Sequence, residues 1–120
     1  MALAETIATY SAPDTLVVVD CLTLWLTQLL MPIERVSDPA LSFDEPAVNN
    51  AVTLLLDAVR NARGPIVLVG NEIGLGVIPL GREVRAFVDA LGQLNQGMAT
   101  VCDRVTLMVA GLSLTLKESA

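Results

Sequence analysis

Two short aliphatic runs, Leu16-Val17-Val18-Val19 and Ile66-Val67-Leu68-Val69, end at Asp20 and at Gly70-Asn71-Glu72. Runs of this length with no polar alternation are the pattern of strands buried on both faces of a parallel sheet. Parallel neighbours cannot be joined by a tight turn and need a long crossover, usually a helix. The segments around the two runs supply helices. Ala2 to Tyr10 reads as a short helix closed by the turn Ser11-Ala12-Pro13-Asp14, and Cys21 to Met31 as a helix stopped by Pro32. A polar loop covers Ile33 to Asp44. Ser42 and Glu45 then have the spacing of a capping box, and Val48, Val52, Leu55 and Val59 recur at helical intervals until Gly64-Pro65. After a glycine-rich loop, Val84, Phe87, Leu91, Leu94, Met98 and Val101 mark a second long amphipathic helix. Val105 to Val109 reads as a third strand, and Leu112 to Leu116 as a fourth after the turn at Ala110-Gly111. The expected fold is α/β, a mainly parallel sheet flanked by helices, in a single domain over residues 1–120.

Composition limits what such a domain can do. Hydrophobic residues make up 53% of the 120 positions and aromatics 3%, so the core is aliphatic, with Trp25, Phe43 and Phe87 as its rare large pieces. Stacking platforms for nucleic-acid bases are missing. Seven basic against thirteen acidic residues give a net charge of −6, which repels phosphate backbones and anionic membrane surfaces, and the arginines form no local patch. No nucleic-acid partner is expected. Cys21 and Cys102, with no histidine in the chain, cannot build a zinc site. The start has no basic leader followed by a long apolar run, and the stretch from Cys21 to Met31 falls short of the roughly 18 residues a membrane span needs. A soluble, cytoplasmic protein without a membrane span is the expectation.

Ligands of open parallel sheets bind beyond the carboxyl ends of the strands, and two segments fall there. Asp20 ends the first run, where a carboxylate can hold Mg²⁺ or a water beside nucleotide phosphates. An acid at a strand-to-helix junction is equally at home as a helix N-cap. Asn71 and Glu72 follow the second run, and the glycines around them let backbone approach a ligand; a turn needed only for chain reversal has the same composition. Arg85 and Asp89, four apart on a helix, read as a solvated ion pair. Arg82, Asn95 and Gln96 read as surface residues. The chain has no G-x-x-x-x-G-K-[ST] and no histidine, so by itself it offers neither a phosphate-cradling loop nor a histidine base or phosphohistidine.

The succession VVVDCLTLWLTQLL, IVLVGNEIGLGVIPL, REVRAFVDALGQLNQ and DRVTLMVAGLSLTLK resembles the bifunctional adenosylcobinamide kinase / adenosylcobinamide-phosphate guanylyltransferase family over residues 16–117. The resemblance implies a RecA-like P-loop NTPase fold and the synthesis of cobalamin. Its members phosphorylate adenosylcobinamide and transfer GMP from GTP to the phosphate through a guanylylated histidine. Carried over residue by residue, Asp20 matches an acid associated with GTP or ATP and its Mg²⁺, and Asn71 and Glu72 line the nucleotide site. Adenosylcobinamide and its phosphate are the implied substrates, and a homo-oligomer is the implied assembly. The family's phosphate loop G-G-A-R-S-G-K-S and its histidine nucleophile have no counterpart here. The expectation is therefore an incomplete, amino-terminally truncated domain, inactive alone, with no catalytic residue of its own and a strand absent beside Ile66–Val69. Asp20 should project from the tip of an interior strand on the same side as the Asn71 loop. Two other classes remain: a non-catalytic partner subunit of a split enzyme, and a phospho-receiver-like domain with Asp20 as acceptor, for which Lys117 is a poor match to the required lysine.

Overall fold

The computed structural model describes residues 2–30, 45–72 and 82–118. The elements run α1 (Leu3–Tyr10), β1 (Val17–Asp20), α2 (Leu22–Leu30), α3 (Glu45–Arg60), β2 (Ile66–Val69), α4 (Arg82–Val101), β3 (Arg104–Val109) and β4 (Leu112–Glu118). The loop at 33–44, the Ser42 capping box and the glycine-rich stretch 73–76 lie outside the described residues.

Each helix turns a stripe spaced by three or four residues toward one shared core. Leu22, Leu26 and Leu30 of α2, Val48, Leu55 and Val59 of α3, and Leu91, Leu94 and Met98 of α4 are buried there, with Ile7 of α1. Full burial of one such side chain contributes about 1.5–3 kcal/mol. Core membership therefore follows the helical periodicity of the sequence closely.

β1 and β2 pair in parallel, Val17 with Ile66 through Asp20 with Val69. Val17, Val19, Ile66 and Leu68 belong to the core side. By the two-residue alternation of a strand, Leu16, Val18, Val67 and Val69 point the other way, and they are exposed, Val18 at 56% and Val67 at 47%. This corrects the expectation of burial on both faces. The residue types suit a doubly covered strand, but among the described residues only one face carries helices. Nor is β1 an interior strand: its described neighbour is β2 alone.

The last two strands are also a correction to a mainly parallel sheet. β3 and β4 form a separate antiparallel hairpin, because a turn of two residues, Ala110 and Gly111, can only reverse the chain. Both turn residues have positive φ, 53° and 77°, the left-handed region that two-residue hairpin turns demand. An irregularity in register falls between Val105 and Thr106.

Ser11 joins the start of the chain to the entry of β2. It is 3% exposed, and its Oγ accepts hydrogen bonds from the Arg63 N–H at 2.6 Å and the Gly64 N–H at 3.2 Å. Thus α1 and the end of α3 are fixed to the same hydroxyl. Arg85 and Asp89 do not pair; the ion pairs among the described residues are Asp57–Arg60 at 3.2 Å and Arg104–Glu118 at 3.1 Å, both exposed. No helix among the described residues is long and apolar enough to cross a membrane.

Candidate functional site

The parallel pair ends at the Asp20–Val69 register, so Asp20 and the Gly70-Asn71-Glu72 exit lie at one sheet edge. Asp20 is exposed there. The helix that follows does not use its carboxylate as a cap. The Leu24 N–H donates instead to Cys21 Sγ at 3.4 Å, and the Trp25 N–H to the Cys21 carbonyl at 3.3 Å. Cys21 therefore occupies the capping position of α2, whose side chain satisfies the N–H of the third helical residue. This removes the N-cap reading of Asp20.

Asp20 lines a cleft of about 350 Å³ between α1, β1 and α2, whose walls include Ile7, Val18, Leu24, Trp25 and Gln28. Asn71 and Glu72 are not among its lining residues. The fold thus places Asp20 and Asn71 at one edge, with Asp20 alone of the two lining this cleft. Both Asn71 and Glu72 are exposed, and Glu72 has an interaction partner.

The Asn71 backbone is held on both sides. Its N–H donates to Thr23 Oγ1 at 2.9 Å, and its carbonyl accepts from Asn95 Nδ2 at 3.2 Å. Asn95, read from sequence as a surface residue, is half-buried and reaches this loop from α4. A polar residue between the buried Leu94 and Met98 was the available signal. Gln96 is exposed as expected, and the Arg82 side chain lies outside the described residues.

No group of three or more metal-ligating side chains exists among the described residues. A lone carboxylate does not make a protein-built cage. It does match Mg²⁺, which dehydrates reluctantly and is commonly held by one or two carboxylates together with substrate phosphates. A second cleft, about 390 Å³, lies between α1 and α3 and is lined by Ala4, Glu5, Leu54, Asp57, Asn61 and Arg63 among others; it takes in none of the residues singled out from sequence.

Lys117, on β4, donates from Nζ to the carbonyls of Ala99 at 2.8 Å and Thr100 at 3.3 Å. A receiver-type lysine would have to be available to the acceptor acid, and this ammonium is engaged at the end of α4.

Similarity to known proteins agrees with the order of the sequence blocks. Residues 1–116 match the family described as cobinamide kinase / cobinamide phosphate guanyltransferase. The bifunctional adenosylcobalamin biosynthesis protein CobP of Pseudomonas aeruginosa is 42% identical over 117 residues, covering 98% of this chain and 62% of its own length. The bifunctional adenosylcobalamin biosynthesis proteins CobU of Salmonella typhimurium and Escherichia coli K12 are 34% and 33% identical, each over 88% of this chain and 60% of their own length. The chain spans about 60% of the length of these relatives. The chain therefore belongs to the cobinamide kinase / cobinamide phosphate guanyltransferase family.

Proposed function

We propose that the carboxyl edge of β1 and β2 is the nucleotide-facing edge of a transferase of cobalamin biosynthesis. In this reading Asp20 holds Mg²⁺ jointly with the phosphates of GTP or ATP, and Asn71 and Glu72 line the same edge. One observation supports it most: Asp20 stands exposed at the tip of β1 while Cys21 caps α2. The carboxylate is thereby left over for a ligand. When bound, Mg²⁺ would neutralise phosphate charge; the protein's part is to hold an acid at a fixed strand tip.

The complete enzyme would phosphorylate adenosylcobinamide and then transfer GMP from GTP to adenosylcobinamide phosphate; support for this comes from the family description, cobinamide kinase / cobinamide phosphate guanyltransferase, and from relatives named as bifunctional adenosylcobalamin biosynthesis proteins. These 120 residues contain no histidine and no phosphate-loop motif. Phosphoryl transfer depends on backbone amides and a lysine around the phosphates, and a covalent guanylyl carrier is needed for the second step. The stretch alone therefore performs neither transfer. The rest of a RecA-like P-loop NTPase fold would add a strand beside β2 and cover the exposed face of Leu16, Val18, Val67 and Val69. A separate chain carrying that part, as in a split enzyme, would meet the same face. We take the working assembly to be a cytoplasmic homo-oligomer.

Equilibrium titration of the chain with GTP, with and without Mg²⁺, tests the reading. Mg²⁺ should strengthen binding to the unaltered chain and have no effect on Asp20→Asn. Equal Mg²⁺ dependence in both proteins would overturn it; turnover of adenosylcobinamide by the pure 120-residue chain would instead overturn the inactivity of the stretch alone.

A further inference from the structure

We infer that Thr23 and Asn95 are positioning residues: together they fix the backbone of Asn71 and so set where the loop after β2 stands relative to Asp20. This rests on the nucleotide-edge reading above for its purpose, but not for its geometry.

The β ladder stops at Asp20–Val69, so nothing in the sheet holds Asn71. Two helices take over. Thr23, in the first turn of α2 and three residues beyond Asp20, accepts the Asn71 N–H at 2.9 Å. Asn95 of α4 donates its side-chain N–H to the Asn71 carbonyl at 3.2 Å. Thr23 and Asn95 are themselves half-buried, but both bonds to Asn71 are solvent-exposed, so each contributes at the modest level of a bond that competes with water. The carboxamide of Asn95 lies beside Gly70, with Oδ1 3.6 Å from where a Cβ at that position would stand and its N–H end on the Asn71 carbonyl; that spacing is ordinary van der Waals contact, so the hold on Asn71 does not depend on glycine at position 70. Because Thr23 and Asp20 share the junction between β1 and α2, the bond ties the Asn71 loop to the segment that carries the acid.

The chemistry demands these residue types. Thr23 must offer an acceptor, which serine keeps and valine of the same shape removes. Asn95 must offer a donor, and aspartate of the same shape replaces it with a carboxylate facing a carbonyl. Both backbone groups of Asn71 are satisfied by these partners, which leaves its exposed carboxamide to meet whatever occupies the edge.

Amide hydrogen exchange by NMR on the full 120-residue chain, combined with Mg·GTP titration, tests the inference. Loss of one such bond corresponds to about five- to tenfold in a local opening equilibrium, so Thr23→Val and Asn95→Asp should each speed exchange at Asn71 by about that factor. Val67, Leu68 and Val69 should exchange as before, Thr23→Ser should restore the original rate, and Asp20→Asn should leave it unchanged. Mg·GTP affinity should fall in Thr23→Val and Asn95→Asp and hold in Thr23→Ser. Unaltered exchange at Asn71, or acceleration of the β2 amides to the same degree, would overturn the positioning role. The expected exchange pattern with no Mg·GTP binding by the unaltered chain would overturn the nucleotide reading while upholding the hold on Asn71.

Discussion

Lys117 reaches from β4 to the carboxyl end of α4, its Nζ 2.8 Å from the Ala99 carbonyl oxygen and 3.3 Å from that of Thr100. The last carbonyls of a helix lack intrahelical donors and carry partial negative charge, so a cation there satisfies both needs and fastens the hairpin to α4. Lys117→Met keeps the length of the side chain and removes the charge. It should lower stability by about 1–2 kcal/mol, read as a lower urea midpoint. Lys117→Arg should recover most of the loss.

Ser11 is the second such fastening. Replacing it by alanine leaves the Arg63 and Gly64 N–H groups without the acceptor they share, at a cost of about 1–3 kcal/mol. The neighbouring Gly64→Ala should be worse, because a Cβ there would overlap the Ala12 carbonyl, and backbone cannot step aside as a flexible side chain does. Denaturant titration should rank the chains wild type, Ser11→Ala, Gly64→Ala in falling midpoint.

The hairpin turn offers a gain. Ala110 sits at φ 53°, where an L-residue with a Cβ loses roughly 1–2 kcal/mol, and asparagine tolerates that region best after glycine. Ala110→Asn should raise stability by about 1 kcal/mol and raise the thermal midpoint. Unchanged melting would count against a left-handed conformation at this position.

The elements that sequence conveyed are those in which local pattern and packing agree. Leu22, Leu26, Leu91, Leu94 and Met98 are buried where helical spacing put them, and Asp20 lies at a strand end because an apolar run terminates there. What pattern did not convey was decided by partners. Leu-Val-Val-Val describes residues fit for burial on two faces, yet whether a second layer covers them depends on chain packed from elsewhere. The Ala110-Gly111 turn was visible, but its consequence, an antiparallel pair apart from β1 and β2, was outweighed by the helical crossovers before it. Asn95 reads as a surface residue because its partner is a backbone carbonyl 24 residues earlier in the chain, a contact that periodicity does not encode. Cys21 enters the sequence reading only as a thiol unable to build a zinc site, and its capping of α2 is visible only once the helix start is known.

Cys102 brings a pH dependence. Burial pushes its thiol above the ordinary value, the nearby Lys117 charge partly opposes this, and Asp103 adds to the rise. At neutral pH the thiol is protonated both folded and unfolded, so it contributes no slope. Above about pH 8.5 the unfolded thiol ionises first, and stability should fall as pH rises through the folded value. Cys102→Ser should flatten that alkaline decline. Iodoacetamide should label Cys102 more slowly in the folded chain than in urea at the same pH, and equal rates would exclude the effect of burial.

The uncovered side of the parallel pair makes a prediction about association. Leu16, Val18, Val67 and Val69 present four exposed aliphatic side chains on one face, beside strand edges whose backbone groups have no described sheet partner. Exposed apolar surface next to open edges promotes self-association, and water is expelled whether the covering surface is another copy or the remaining part of a family enzyme. Sedimentation velocity should therefore show concentration-dependent association of the chain. Val67→Thr with Val18→Thr preserves β-branching and removes the apolar character, so it should shift the distribution toward monomer with little change in the helical signal. If the double variant associates as strongly as the original, the exposed face is not what drives assembly, and the apolar residues of the β3–β4 hairpin, Leu112 foremost at 74% exposure, become the surface to alter next.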